Sequence, residues 1–278
     1  MMKVGFIGLG EMGGGMVRRI IAAGFPTVLW ARRAEVLAEY AGPMVETAAS
    51  PADLAARADV VGICVWTDED VRAVVQGEGG VLSGARPGTV VAIHSTVTPA
   101  TCRQLEQAAV ARDVVVLDVP VSGGRDAALA GTLAVAVGGD EDAVVRCRPV
   151  FESFGDPVVY VGPVGAAQAV KLINNALLAA NLAVADDALT LGASLGVRSE
   201  AIAQLLRSGS GRSFGLDVAM GVRSSRETRE AARPALEKDV DALAASASSQ
   251  GDASAALLLR AAGEAVARLA NPPQGWVQ

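Results

Sequence analysis

Residues 4–16 read VGFIGLGEMGGGM. A short apolar run, VGFI, ends in Gly8, and Gly8, Gly10 and Gly13 then form G-x-G-x-x-G as a helical pattern opens toward Ala23. A strand, a tight glycine turn and a helix N-terminus in that order make the dinucleotide fingerprint. Gly8 permits the turn, Gly10 lets backbone approach a pyrophosphate, and Gly13 lets helix and strand pack closely. The helix start supplies N–H groups and the positive end of its dipole. Leu9, Glu11 and Met12 fill the loop between the glycines.

Outward from this unit, β-rich runs alternate with helical stretches: TVLW from Thr27, VVGICV from Val60, TVVAI from Thr89 and VVVLD from Val114. The runs are continuous rather than alternating, as strands buried on both faces are. The expected class is α/β, a doubly wound parallel sheet, with TLAVAV from Thr132 and PVVYV from Pro157 as further edge strands. From Ala166 to about Leu195 only Gly192 interrupts a helical pattern, predicting one helix about 45 Å long. Helical segments follow at 199–207, 235–249 and 253–270, with no strand among them. The expected domains are 1–162, a nucleotide-binding Rossmann domain, and 163–278, an all-α substrate and dimerisation domain organised on the long helix. Its Ala-rich apolar surface suggests a homodimer or higher homo-oligomer. The tail NPPQGWVQ from Asn271 is expected to be loose.

The chain has 278 residues, of which 51% are hydrophobic, and a formal net charge of -6. No basic field exists to hold nucleic acid or an anionic membrane surface, so an anionic ligand needs a local site. Cys64, Cys102 and Cys147 lie far apart and form no C-x-x-C pair, which points to neither a disulfide framework nor zinc and makes a reducing cytoplasm the default. His94 is the only histidine, which rules out a site with two histidine ligands; it reads as a structural hydrogen-bonder. No targeting or membrane-spanning segment is expected, because LINNALLAANLAVA from Leu172 carries three asparagines and then meets Asp186 and Asp187.

The end of the second strand selects between cofactors, since a carboxylate there binds the ribose 2′-hydroxyl of NAD. This chain has Ala31, Arg32 and Arg33 instead. Paired guanidinium groups suit a 2′-phosphate, favouring NADP over NAD. The alternative has the arginines solvated and Glu35 taking the ribose.

Further motifs fall in one order: STVTP from Ser95, DVPVSGG from Asp118, GTLAVAVGG from Gly131, GAAQAVKLINN from Gly165, SGSGRS from Ser208 and KD at Lys238. With the opening loop, this series resembles the β-hydroxyacid dehydrogenase family over nearly the whole chain. The resemblance implies a Rossmann domain followed by an all-α domain, and hydride transfer between NADP(H) and a small 3-hydroxy acid or semialdehyde bound through its carboxylate. It implies Lys171 as general acid/base with Asn175 on the same helix face. Ser122, Gly123, Gly124 and Asn174 would hold the substrate. Val65, Thr96 and Lys238 would join Gly8 to Gly13, Arg32 and Arg33 at the cofactor, Lys238 covering it from the helical domain.

The residue types suit the chemistry by themselves. Oxidising an alcohol needs a base for the hydroxyl proton, and a lysine serves if burial and a positive nicotinamide draw its pKa toward neutrality. A lysine and asparagines in an otherwise apolar helix are costly when buried without partners, which favours a site over a core. Three positions depart from the family pattern: Ala127 and Ala167 replace glycines, and Trp66 stands where proline is common. Arg125 offers a second cation near the substrate loop, and Arg212 and Ser213 lie in the motif expected to face the ligand. Two rival readings are an imine reductase, which normally lacks the helix lysine, and a nonenzymatic NADP-binding interaction module.

Overall fold

A computed structural model describes residues 2–249 and 255–277. The chain divides into two compact units, Met1–Lys171 and Leu172–Gln278. The first begins with β1 (Val4–Ile7), α1 (Glu11–Ala22), β2 (Thr27–Trp30), a 3-10 helix (Ala34–Tyr40) and β3 (Val45–Thr47). It continues through α2 (Pro51–Arg57), β4 (Val60–Ile63), α3 (Asp68–Gln76), α4 (Val81–Gly84), β5 (Val90–Ile93), α5 (Pro99–Val110) and β6 (Val115–Asp118). It closes with β7 (Val121–Ser122), α6 (Gly124–Ala130), β8 (Leu133–Gly138), α7 (Glu141–Phe151) and β9 (Gly155–Gly162).

The sheet order is β3-β2-β1-β4-β5-β6-β8-β7, with β9 on β8. β1 to β6 pair in parallel, whereas β8 runs antiparallel to β6 and β7. Every residue of β1, β4 and β5 is buried. Alternate side chains enter opposite layers: Val4 and Phe6 join one apolar cluster and Ile7 the other. β1 lies between β2 and β4, so strand order reverses beside the glycine loop, where ligand crevices of open α/β sheets form.

The long helix α8 (Ala166–Ser194) starts in the first unit and runs into the second, which adds α9 (Ser199–Ser208), α10 (Phe214–Ser224), α11 (Arg226–Ser249) and α12 (Ala256–Ala270). No strand occurs among the described residues of the second unit. α8 alone among the described helices has the length and apolarity of a membrane span, yet half of that stretch is buried. Ala179, Leu182 and Leu189 pack there with Leu216, Val240 and Leu269 as the core of the second unit. Gly192 does not break the helix; a Cβ there would meet Ile202 at 2.4 Å, so it lets α9 approach closely.

The structure departs from the sequence-based expectation at α10, at the start of α11 and at the C-terminal tail. α10 has no counterpart in that expectation, and α11 starts at Arg226 rather than Ala235, running through Pro234. One proline removes one helical hydrogen bond, a loss the packed face around Leu236 and Val240 tolerates. The start of the last helix expected at Ala253 lies outside the described residues. The tail is docked, not loose: Trp276 is buried and donates through Nε1 to Asp186 at 3.2 Å, and Val277 N bonds Arg223 O at 2.9 Å. Asp186, itself buried, also pairs with Arg223 and, at 2.8 Å, with Arg268.

Candidate functional site

The first loop separates two kinds of glycine. Gly8 has φ +97°, and a Cβ there would lie 2.0 Å from Cys64 O; at Gly13 it would lie 1.9 Å from Gly8 O. Both are demanded by the protein's own packing. At Gly10 a Cβ would meet nothing within 4 Å, so the space above it is open to a ligand. Gly10 is also the N-cap of α1 and brings no side-chain cap; the Gly13 N–H is engaged by the Cys64 thiol, while the positive end of the helix faces the open space and suits an anion. Gly14 and Gly15 matter too, although the fingerprint does not call for them: their Cβ atoms would strike Tyr40 Oη at 2.5 Å and Ala128 Cβ at 2.7 Å.

A groove of about 470 Å³ is lined by Gly8, Leu9 and Gly10, by Arg32 and Arg33, by Val65 and Trp66, and by Asp70 and Glu78. Both arginines are exposed, and Arg32 Nη1 lies 3.6 Å from Asp70 Oδ1. Glu35 is not among the groove's walls. Glu11 is exposed and Met12 half-buried. Arg125 is 3.9 Å from Glu11, an exposed pair of little energetic weight.

The start of α8 is pinned to the strand ends. Asp118, the last residue of β6, is fully buried and accepts from Gly165 N and Gln168 N, both at 2.9 Å. Burial pushes its carboxyl above the ordinary range, and the backbone donors act against that rise. Gln168, also fully buried, accepts from Val97 N at 3.1 Å and donates to Ser95 O at 2.9 Å. Ser95 Oγ in turn accepts from Val65 N at 2.8 Å. Thr96 therefore sits between two anchored neighbours in the loop after β5. One turn along α8, half-buried Lys171 donates through Nζ to Ser122 Oγ at 2.9 Å. Gly123 and Gly124 follow with φ of +136° and +75°, a conformation that suits glycine.

Two of the departures are explained by contacts. A Cβ on Gly123 would meet Ala127 Cβ at 2.7 Å, so the methyl of Ala127 is accommodated by glycine above it. Ala167 is fully buried beside the Asp118 anchor. His94 is structural: it stacks on Phe6 with ring centroids 5.7 Å apart, its Nδ1 lies 2.9 Å from Val119 O, and burial pulls its pKa down to about 4.

In the second unit, Asn174 is exposed and donates to Asn175 Oδ1 at 3.1 Å. Asn175 Nδ2 donates to the buried carboxylate of Asp239. The other oxygen of Asp239 is 3.0 Å from Lys238 Nζ, an ion pair with poor hydrogen-bond alignment. Ser213 caps α10 by accepting from Leu216 N at 3.1 Å, while Arg212 is exposed. Asp118, Gln168 and Asp239 are additions to the sequence-derived residues. DVP, GAAQ and KD contained them, but only contacts distant in sequence reveal their roles.

Residues 3–162 match a family model described as the NAD binding domain of 6-phosphogluconate dehydrogenase, and 165–273 match one described as NAD-binding of NADP-dependent 3-hydroxyisobutyrate dehydrogenase. The chain belongs to the β-hydroxyacid dehydrogenase family. Its relatives include the NAD-dependent L-serine dehydrogenase of Pseudomonas aeruginosa, 34% identical over 78% of this chain and 73% of that protein. The structure of Mycobacterium tuberculosis 3-hydroxyisobutyrate dehydrogenase with L-serine aligns with TM-score 0.82 at 28% identity, covering 98% of this chain and 94% of that one. Psf3 in complex with NADP+ and 2-OPP aligns with TM-score 0.71 at 29% identity, covering 99% and 89%. A nicotinamide dinucleotide is thus the family's cofactor, and family members are dehydrogenases acting on small hydroxy acids.

Proposed function

We propose that this chain is an NADP-preferring dehydrogenase of a small 3-hydroxy acid, or the reductase of the matching semialdehyde, with residues 1–162 serving the cofactor and 163–278 the substrate and self-association. The observation that carries this reading is the 2.9 Å hydrogen bond from Lys171 to Ser122, which puts the proton-moving group beside the loop expected to hold a carboxylate. Ser122 Oγ and the N–H groups of Gly123 and Gly124 bind that carboxylate. Lys171, as the neutral amine, takes the hydroxyl proton; in reduction its ammonium returns a proton to the alcohol oxygen. The bound nicotinamide supplies the hydride acceptor or donor. Asn175, with Asn174 beside it and Asp239 fixing its amide, orients the substrate, and Lys238 is assigned to the cofactor by family resemblance.

The NADP preference is supported by Arg32 and Arg33 lining the groove, where Asp70 and Glu78 but not Glu35 are the acids present, and by Psf3 having been captured with NADP+. The relative from P. aeruginosa is NAD-dependent, so the arginines carry this choice. The experiment is a 340 nm screen of small 3-hydroxy acids and semialdehydes with both cofactors. Turnover favouring NADP, with the preference falling at least tenfold in R32A/R33A, supports the reading. A preference for NAD, or one untouched by the double substitution, overturns the cofactor assignment.

The exposed apolar residues Val170, Ile173, Leu177, Val184 and Leu191 of α8 recur at three-, four- and seven-residue spacing. Such a stripe suits a second copy of the chain. Light scattering reads the mass directly, and a stable monomer overturns the dimer. The free thiols Cys64, Cys102 and Cys147 fit a reducing, cytoplasmic setting.

A further inference from the structure

Trp66 is 57% exposed and lines the same groove as Gly8, Gly10, Arg32 and Arg33. Thr96, Ser122 and Lys171, the residues assigned to nicotinamide and substrate, are not among the walls of that groove. Lined by both the glycine loop and the two arginines, the groove takes the adenosine half of the proposed dinucleotide. A large aromatic held there has the chemistry to cover a purine face.

The loop carrying Trp66 is fixed on both sides. Val65 N donates to Ser95 Oγ at 2.8 Å. Thr67 and Asp70 form a capping box on α3, with Asp70 N donating to Thr67 Oγ1 at 3.0 Å and Thr67 N to Asp70 Oδ2 at 3.2 Å. The other oxygen of Asp70 faces Arg32 at 3.6 Å, which ties the same loop to the arginine expected at the 2′-phosphate. The backbone around the indole is thus set before any ligand arrives, which lowers the ordering cost of binding.

We infer that Trp66 is a cofactor-binding residue, packing its indole against the purine of an adenosine 2′-phosphate moiety, while the choice between NADP and NAD stays with the arginines. This rests on the dinucleotide reading of the groove. The test is calorimetric titration of adenosine 2′,5′-bisphosphate and of NADP+ into the wild type, W66A and W66F. W66A is expected to weaken both ligands by a similar factor, roughly fivefold or more, while W66F stays within about twofold of the wild type on the same stacking argument. Because the side chain is largely exposed, melting temperatures of both variants should match the wild type. Unchanged affinity in W66A overturns the inference, as does a loss for NADP+ that the bisphosphate does not share. A wild type that binds neither ligand overturns the cofactor reading as well.

Discussion

The glycine loop of the first unit and the interior of the second treat polar groups in opposite ways. At the start of α1, Gly10 brings no side-chain cap and adjoins open space, so the positive end of the helix is offered to a ligand even though the Gly13 N–H already meets the Cys64 thiol. In the helical unit, Asp186 is surrounded by Arg223, Arg268 and the indole N–H of Trp276, so its capacity is consumed within the fold. Unsatisfied polar groups at a surface are binding potential; satisfied ones inside are structural commitment. Lys171, Asn175 and Asp239 fall between these extremes, part-buried or buried with at least one partner already made, as suits the positioning and substrate roles proposed for them.

That contrast can be broken by substitution. The largest stability effect is expected for Asp186→Ala, which strips the part-buried Arg223 of its carboxylate and the Trp276 indole of its acceptor, and leaves Arg268 with only the carboxylates of Asp187 and Glu264; it should cost about 3 kcal/mol. Denaturant unfolding measures it, and a loss below about 1 kcal/mol would show the network to be incidental.

Acid should single out the first unit, because it contains the only histidine. The pKa of His94 is about 4 in the fold against 6.5 ordinarily. Its folded pKa is depressed, so the unfolded chain binds the proton first, and stability falls as pH drops from 6.5 toward 4. The two and a half pKa units correspond to about 3 kcal/mol at the acid end. His94→Phe keeps the stack on Phe6 and should flatten that part of the pH–stability curve; an unaltered slope assigns acid sensitivity elsewhere.

A smaller effect separates the glycines from one another. Gly13→Ala must displace the backbone of Gly8 and should cost about 1–3 kcal/mol, whereas Gly10→Ala meets open space and should leave stability nearly unchanged while weakening cofactor binding. Equal melting temperatures for the two variants, each tested without cofactor, would erase the distinction between packing and binding glycines.

The same contrast explains what was legible in the sequence. The strand–glycine–helix unit, the βα alternation and the long helix from Ala166 are local patterns with fixed periods, and they appear as read. The docking of Trp276, the pinning of α8 by Asp118 and Gln168, and the hold of Asp239 on Asn175 join residues 90, 47, 50 and 64 positions apart; no window of sequence displays such pairs. α10 was hidden for a related reason. Its opening Gly215 looks like a helix breaker, yet a Cβ there would strike Asn181 at 2.6 Å, so the glycine is a packing contact with α8.

In the proposed mechanism Lys171 moves the proton of a hydroxy acid while the glycine loop and arginines hold the nucleotide separately. Once the screen has named a substrate, the direct measurement is kcat for Lys171→Ala beside its Kd for NADPH. The expected result is a fall in kcat of roughly 10²–10⁴-fold with NADPH affinity within about twofold of the wild type. Retained turnover, or an equal loss of NADPH binding, would contradict it.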